Sequence, residues 1–261
     1  MQHRRGDTML ISASEWVLGD RPTALRRARA AGFDAIELDA TPGVDVDRLK
    51  HELTEAELSV PSLCWAWNSE DELGSPDADS RRRAQRYLLG SLELAHELGA
   101  SQLVTLPACR KVAWTLDETR MRGIERAADS ISEVLADAPA EVSLALEGLR
   151  REESFLMNSL ADADVLRSMI DDDRVGLVAD VYHLAYEELD PIASLQRFAD
   201  VITLVHLAEP TRTPLLATSP GVSGLVDQLR VMPGIRSATL EFEVGDDDAA
   251  LAASVVFART L

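Results

Sequence analysis

Short apolar runs alternate with longer stretches of helical periodicity from one end of the chain to the other. The runs are Thr8–Ser12, Asp34–Leu38, Ser59–Cys64, Gln102–Leu106, Val142–Leu146, Val175–Ala179, Val201–Val205 and Ala238–Leu240. Val175–Ala179 leaves no polar side, as expected of a strand covered on both faces. Between the runs the spacing predicts helices over Pro22–Ala31, Asp45–Leu58, Ser80–Leu98, Asp117–Ala136, Ser159–Ile170, Tyr182–Glu188, Pro191–Phe198, Gly221–Val231 and Asp246–Arg259. Pro22 opens the first and Gly32 follows its end, Gly99 closes the third, and Asp117 and either Asn158 or Ser159 are candidate caps. Asn68–Asp79 and Thr211–Ser219 read as loops.

Eight strand–helix units in 261 residues come to about 30 residues each, the arithmetic of a single-domain α/β protein, a (β/α)8 TIM barrel. An open doubly wound sheet would need a glycine-rich nucleotide loop after an early strand. The first junction here is SASEWVLGD and has none. No linker or low-complexity block divides the chain, so residues 1–261 are expected to form one domain.

Composition narrows the partners. The chain is 46% hydrophobic, enough for a large core, and carries a net charge of -19. That charge repels nucleic-acid phosphates and anionic membranes. No window approaches the roughly 18 apolar residues of a membrane span, and MQHRRGDTMLIS has no apolar core of signal-peptide length. Two cysteines fit a reducing compartment. A cytoplasmic protein with no nucleic-acid or membrane partner is expected.

In a barrel of this kind, side chains at the C-terminal strand ends converge on one mouth. Four successive strand ends carry metal-competent groups: Glu147, Asp180, His206 and Glu241, at intervals of 33, 26 and 35 residues. Three carboxylates and one imidazole suit a divalent metal that prefers oxygen, most readily Mn2+, with Mg2+, Co2+ or Zn2+ as alternatives. Taken alone, Asp180 followed by His183 has a plainer reading: Asp180 caps a helix and His183 lies in its first turn. Trp16, Trp65 and Trp67 sit near strand ends, where aromatic rings stack on a sugar face, form a subunit contact or pack in the core.

These residues carry a resemblance. The chain resembles the sugar isomerase/epimerase superfamily of xylose isomerase-like TIM barrels, most closely its ketose 3-epimerase and hydroxypyruvate isomerase branch. Members place Glu, Asp, His and Glu at the ends of strands five to eight around one metal, and Glu147, Asp180, His206 and Glu241 match in order and type. The epimerase segment E-x-x-N-R-x-E-x-x-x-x-N is similar to EGLRREESFLMN here. Glu147, Arg151, Glu153 and Asn158 keep the pattern, and Arg150 stands where Asn is expected. After His206 the family has His-x-x-Asp and an Arg, and this chain has Glu209 and Arg212.

The resemblance implies a metal-dependent isomerase or epimerase that moves a proton through an enediolate on a small carbohydrate or keto acid. Glu147 and Glu241 would be the acid/base pair as well as metal ligands, and His183, Arg212, Glu153 and Trp65 would contact substrate. The acidic Asp246, Asp247 and Asp248 disfavour a phosphate at the usual barrel phosphate site, so an unphosphorylated substrate is expected. Two alternatives stay open. One is a lyase of the same superfamily, acting as an inosose or 3-dehydroshikimate dehydratase or cleaving C-glycosides. The other is a non-catalytic ligand-binding barrel. A homodimer is common in the family.

Overall fold

The computed structural model of the chain describes residues 9–65, 71–107, 119–215, 223–229, 231–232, 234–235 and 237–260. Eight strands run through it: β1 (Leu10–Ser14), β2 (Ala35–Ala40), β3 (Ser62–Trp65), β4 (Gln102–Thr105), β5 (Ser143–Leu146), β6 (Val175–Asp180), β7 (Ile202–Leu207) and β8 (Ser237–Leu240). They form a closed barrel in sequence order, and parallel pairing of β1 with β8, from Leu10 opposite Ser237 to Ala13 opposite Leu240, completes the ring. The expected (β/α)8 architecture is the one observed.

Alternation along the strands divides the apolar residues into two cores. Leu38, Leu63, Leu103, Leu144, Leu177, Val205 and Leu240 belong to the large core shared with the helices. Their neighbours Val104, Ala145, Val178 and Leu204 form a separate small cluster inside the barrel, with Cys64 against it. Polar side chains also line the interior: Ser12 and Thr239 share a hydrogen bond of 2.9 Å across the β1–β8 seam.

Element boundaries differ from expectation where polar residues interrupt an apolar run. The first two strands extend past Ser12 and Leu38 to Ser14 and Ala40, because pairing continues: Ser14 lies opposite Glu37, and Ala40 opposite Trp65. The strand expected over Val201–Val205 runs instead from Ile202 to Leu207. A four-residue helix, α1 (Glu15–Leu18), follows β1 within the junction SASEWVLGD, where no helix is expected from the sequence. Its Glu15 is buried, pairs with Arg21 at 2.9 Å and accepts the Asp39 N–H at 3.0 Å, so it ties the ends of β1 and β2 together.

Most of the described helices are capped by side chains. Asp20 caps α2 (Arg21–Ala31), which ends at Gly32 with φ 87°. Asp77, not Ser80, sets the start of the longest helix, α4 (Ala78–Leu98), after α3 (Val46–Ala56). α5 (Arg120–Asp137) is capped by Thr119; the expected cap Asp117 lies outside the described residues. Ser159 and Asp162 form a capping box on α6 (Leu160–Ile170). α7 (Val181–Glu187), α8 (Pro191–Arg197), α9 (Ser223–Leu229) and α10 (Asp248–Ala258) complete the ring. None of the described helices is long and apolar enough to cross a membrane.

The ladder between β6 and β7 carries a bulge at Leu177 and Val178: Leu177 pairs with Ile202, but Val178 pairs with Leu204. Thr203 is the extra residue, and its Cγ2 and Oγ1 would both lie 2.6 Å from a Cβ at Gly176. Gly176→Ala is therefore expected to destabilise the protein by about 1–3 kcal/mol through overpacking, which thermal denaturation would record as a melting point several degrees lower. An unchanged melting point would show that the bulge has room to spare.

Candidate active site and metal centre

Each group at the mouth is delivered by a strand end. Glu147 is the first residue past β5, and its N–H still donates to the Thr105 carbonyl of β4 at 3.3 Å. Asp180 is the last residue of β6 and pairs with His206 of β7. Glu241 follows β8, and its N–H donates to the Leu207 carbonyl at 2.9 Å. All four side chains are buried. One ligand atom from each can be chosen so that all four lie within 4.8 Å of one another. His206 Nδ1 is 3.1 Å from Glu147, 3.2 Å from Glu241 and 4.0 Å from Asp180.

The two oxygens of Asp180 have different surroundings. Oδ1 caps α7, accepting the N–H groups of Tyr182 at 2.7 Å and His183 at 3.3 Å. Oδ2 faces the cluster and accepts from Arg212 at 3.3 Å. His183 is buried beside it, and its Nδ1 accepts the Arg150 backbone N–H at 3.1 Å. A neutral ring so held carries its proton on Nε2, which points toward Asp180 Oδ2 at 3.6 Å. Burial lowers the His183 pKa and favours that neutral form.

The carboxylates are not equivalent. Burial raises Glu147, and the neighbouring Glu241 and Asp180 add to that against the pull of His206. Burial also pushes Asp180 up to about 6 against the pull of Arg212. Glu241 is equally buried, but His206, Arg212 and Trp16 outweigh the burial and hold it well below the usual carboxylate range. Its Oε1 accepts the Trp16 indole N–H at 3.0 Å, and its Oε2 accepts from Arg212 at 3.1 Å. His206 is raised well above its ordinary value: burial opposes its charge, but Glu241, Glu37 and Glu147 together outweigh it.

Arg212 is clamped as well as charged. Its guanidinium spans Asp180 and Glu241, and its carbon lies 4.4 Å from the Tyr182 ring centre and 5.4 Å from that of Trp16. Its backbone has φ 59°, a left-handed conformation costly for an arginine.

Above the cluster lies a cavity of about 290 Å³. The sequence-predicted contacts Trp65, Glu153, His183 and Arg212 all border it, with Glu147 and Glu241. Trp65 stacks on Tyr87 with ring centres 5.4 Å apart, which fixes it as a wall. Arg150, standing where the resemblance expects Asn, turns toward the rim: it pairs with Glu152 at 2.7 Å, bonds the Tyr182 hydroxyl and covers the Tyr186 ring at 4.5 Å. Asn158 has a structural task, donating to the carbonyls of Leu149 and Ser154, both at 2.8 Å. Cys64 also borders the cavity, and burial with the nearby carboxylates keeps its thiol protonated. Trp67 lies outside the described residues.

Three residues here were not assigned to the site from sequence. Trp16 was legible only as an aromatic near a strand end. Asp39 borders the cavity, and burial together with Glu15 and Glu37 raises it to about 6. Glu37 lies fully buried on β2 within reach of His206. Within AIELDA both acids look like the polar members of an alternating strand.

A family model described as "Xylose isomerase-like TIM barrel" matches residues 25–230. The chain is 25% identical over 210 residues to a D-psicose 3-epimerase of Enterocloster bolteae, covering 76% of this chain and 68% of that protein. To a 3-dehydro-D-guloside 4-epimerase of Escherichia coli it is 25% identical, covering 78% and 80%. The crystal structure of a D-psicose 3-epimerase with D-tagatose, from Clostridium cellulolyticum, superposes with a TM-score of 0.83 over 97% of this chain and 99% of that one, at 19% identity, a likeness of fold. The chain belongs to the xylose isomerase-like TIM barrel family.

Proposed function

We propose that the protein is a divalent-metal-dependent isomerase or epimerase of a small unphosphorylated sugar or keto acid. The observation that carries this reading is the placement of Glu147 and Glu241. Both border the cavity, and both lie within hydrogen-bonding distance of the same His206 nitrogen. The curated relatives named above are epimerases of sugars, which supports the same chemistry here.

The donor set fits a metal. Glu147, Asp180, His206 and Glu241 are buried, converge, and combine three carboxylates with one imidazole, a set suited to Mn2+ or another hard divalent ion. Such an ion supplies Lewis acidity that offsets the charge developing on substrate oxygens by several kcal/mol.

The rest of the chemistry belongs to this chain's own side chains. One of the two glutamates takes the proton from the carbon beside the carbonyl, and the other returns it. His183, with its proton on Nε2, and Arg212 donate to substrate oxygens, and clamping keeps both from having to reorganise during the reaction. Glu153 accepts from a hydroxyl at the far end, and Trp65 presents an apolar face to the carbon chain. Among the described residues, Asp39, Glu147, Glu153 and Glu241 border the cavity against one arginine that is already paired, which favours the sugar over the anionic keto acid. At the position where related barrels bind phosphate, Asp247 caps α10 and Asp248 pairs with Arg27 at 2.7 Å.

Glu147→Gln and Glu241→Gln are each expected to slow solvent-deuterium incorporation into a reactive ketose by about 10²–10⁴-fold without altering the circular dichroism spectrum. Full activity in either would sink the two-carboxylate mechanism, and loss of water from the substrate in place of isomer formation would make the protein a lyase. Glu153→Ala should act mainly on binding, raising KM with a smaller change in kcat. A steady-state series showing the reverse would move Glu153 from the hydroxyl end to the reacting carbons.

A further inference from the structure

Glu37 lies on β2, across the barrel from His206, and is fully buried. Three donors converge on its carboxylate. Ser14 Oγ donates to Oε1 at 2.8 Å, and Ser62 Oγ donates to Oε2 at 2.7 Å. His206 Nε2 lies 3.3 Å from Oε1 and 3.4 Å from Oε2. Ser14 is also within 3.4 Å of Glu241, but its shorter bond is to Glu37. The two serines come from the strands on either side of β2, so the carboxylate is held from both flanks.

We propose that Glu37 is the positioning residue of the metal centre: by accepting the Nε2–H of His206, it fixes the tautomer whose Nδ1 lone pair faces the space between Glu147, Asp180 and Glu241. The inference rests on the metal-dependent reading given above. A neutral imidazole carries one N–H, and the partner of one nitrogen decides what the other can offer. Nδ1 is the nitrogen turned toward the three candidate ligand carboxylates. Nε2 is turned toward Glu37. With the ring fully buried, an Nε2–H without an acceptor is unfavourable, and the ring would be drawn to the opposite tautomer, which cannot ligate through Nδ1. An anionic acceptor at Nε2 also makes the ring a stronger donor toward a metal.

The rival account is that Glu37 only fills a polar space in the barrel. The two accounts differ in what Glu37→Gln changes. The amide can still fill the space, but it brings an NH₂ group of its own, and the serine hydroxyl it meets must reverse. The full chain, stripped with a chelator, would be titrated with Mn2+ calorimetrically as wild type, Glu37→Gln and Ser62→Ala. Thermal denaturation of the stripped proteins would report fold stability separately. Long-range proton–nitrogen spectra of the Zn2+-loaded wild type would locate the His206 proton directly.

The expected results are a 10–100-fold loss of Mn2+ affinity in Glu37→Gln, a smaller loss in Ser62→Ala, and a His206 proton on Nε2. Mn2+ binding by Glu37→Gln as tight as wild type, or a proton on Nδ1 of the loaded wild type, would overturn the inference. A loss of affinity that merely tracks a lowered melting point of the stripped protein would overturn it as well, in favour of the space-filling account. Wild type that takes up no Mn2+ refutes it too. Wild type that binds Mn2+ in a Glu37-dependent way but exchanges no proton on any ketose leaves this inference standing and removes only the proposed reaction.

Discussion

His206 is fully buried with carboxylates on both sides of its ring, Glu37 at Nε2 and Glu147, Glu241 and Asp180 at Nδ1. Gathering so much negative charge away from water is costly unless each group is paired. Much of what is unusual about this molecule answers that cost. Arg212 accepts a left-handed backbone to reach two of the acids, Trp16 reaches in from a four-residue helix, and Ser12, Ser14, Ser62 and Thr239 stand where such an interior usually holds branched apolar residues. The large core between strands and helices carries the stability that the mouth does not supply.

The cluster is also uneven. Glu241 collects donors from four directions, while among the described side chains the imidazole alone reaches Glu147. The two glutamates thus face one cavity with opposite electrostatic biases, one raised and one lowered. Pairs whose surroundings push them apart are the usual arrangement where one group must hold a proton while the other lacks it.

The architecture was legible because strand–helix units recur at nearly constant length, and closure of the barrel follows from that count. The cluster was legible because Glu147, Asp180, His206 and Glu241 each end or extend an apolar run, one unit apart. Groups on the first two strands were not. Glu37 and Asp39 sit inside AIELDA, where alternation with apolar neighbours is what any half-buried strand shows, and only three-dimensional closure brings β2 opposite β7. The extra turn at Glu15–Leu18 was missed because four residues are too few to show periodicity. Asp180 looked like a cap and is one, since a carboxylate has two oxygens and only one is spent on the helix.

The bulge at Thr203 also governs which side chain of β7 looks inward. Below it, Leu177 and Ile202 both point to the helices; above it, Val178 and Leu204 both point into the barrel. In an unbroken ladder continuing from Leu177 and Ile202, Asp180 would pair with Val205, an aliphatic residue whose side chain belongs to the outer core, and the imidazole would be turned out among the helices. The bulge can therefore be lost in two ways with opposite results: with Thr203 deleted, Leu204 follows Ile202 directly and the imidazole stays opposite Asp180, whereas with Thr203 kept and drawn into pairing opposite Val178, every side chain above it changes face and a hydrocarbon replaces the ring nitrogen at the mouth.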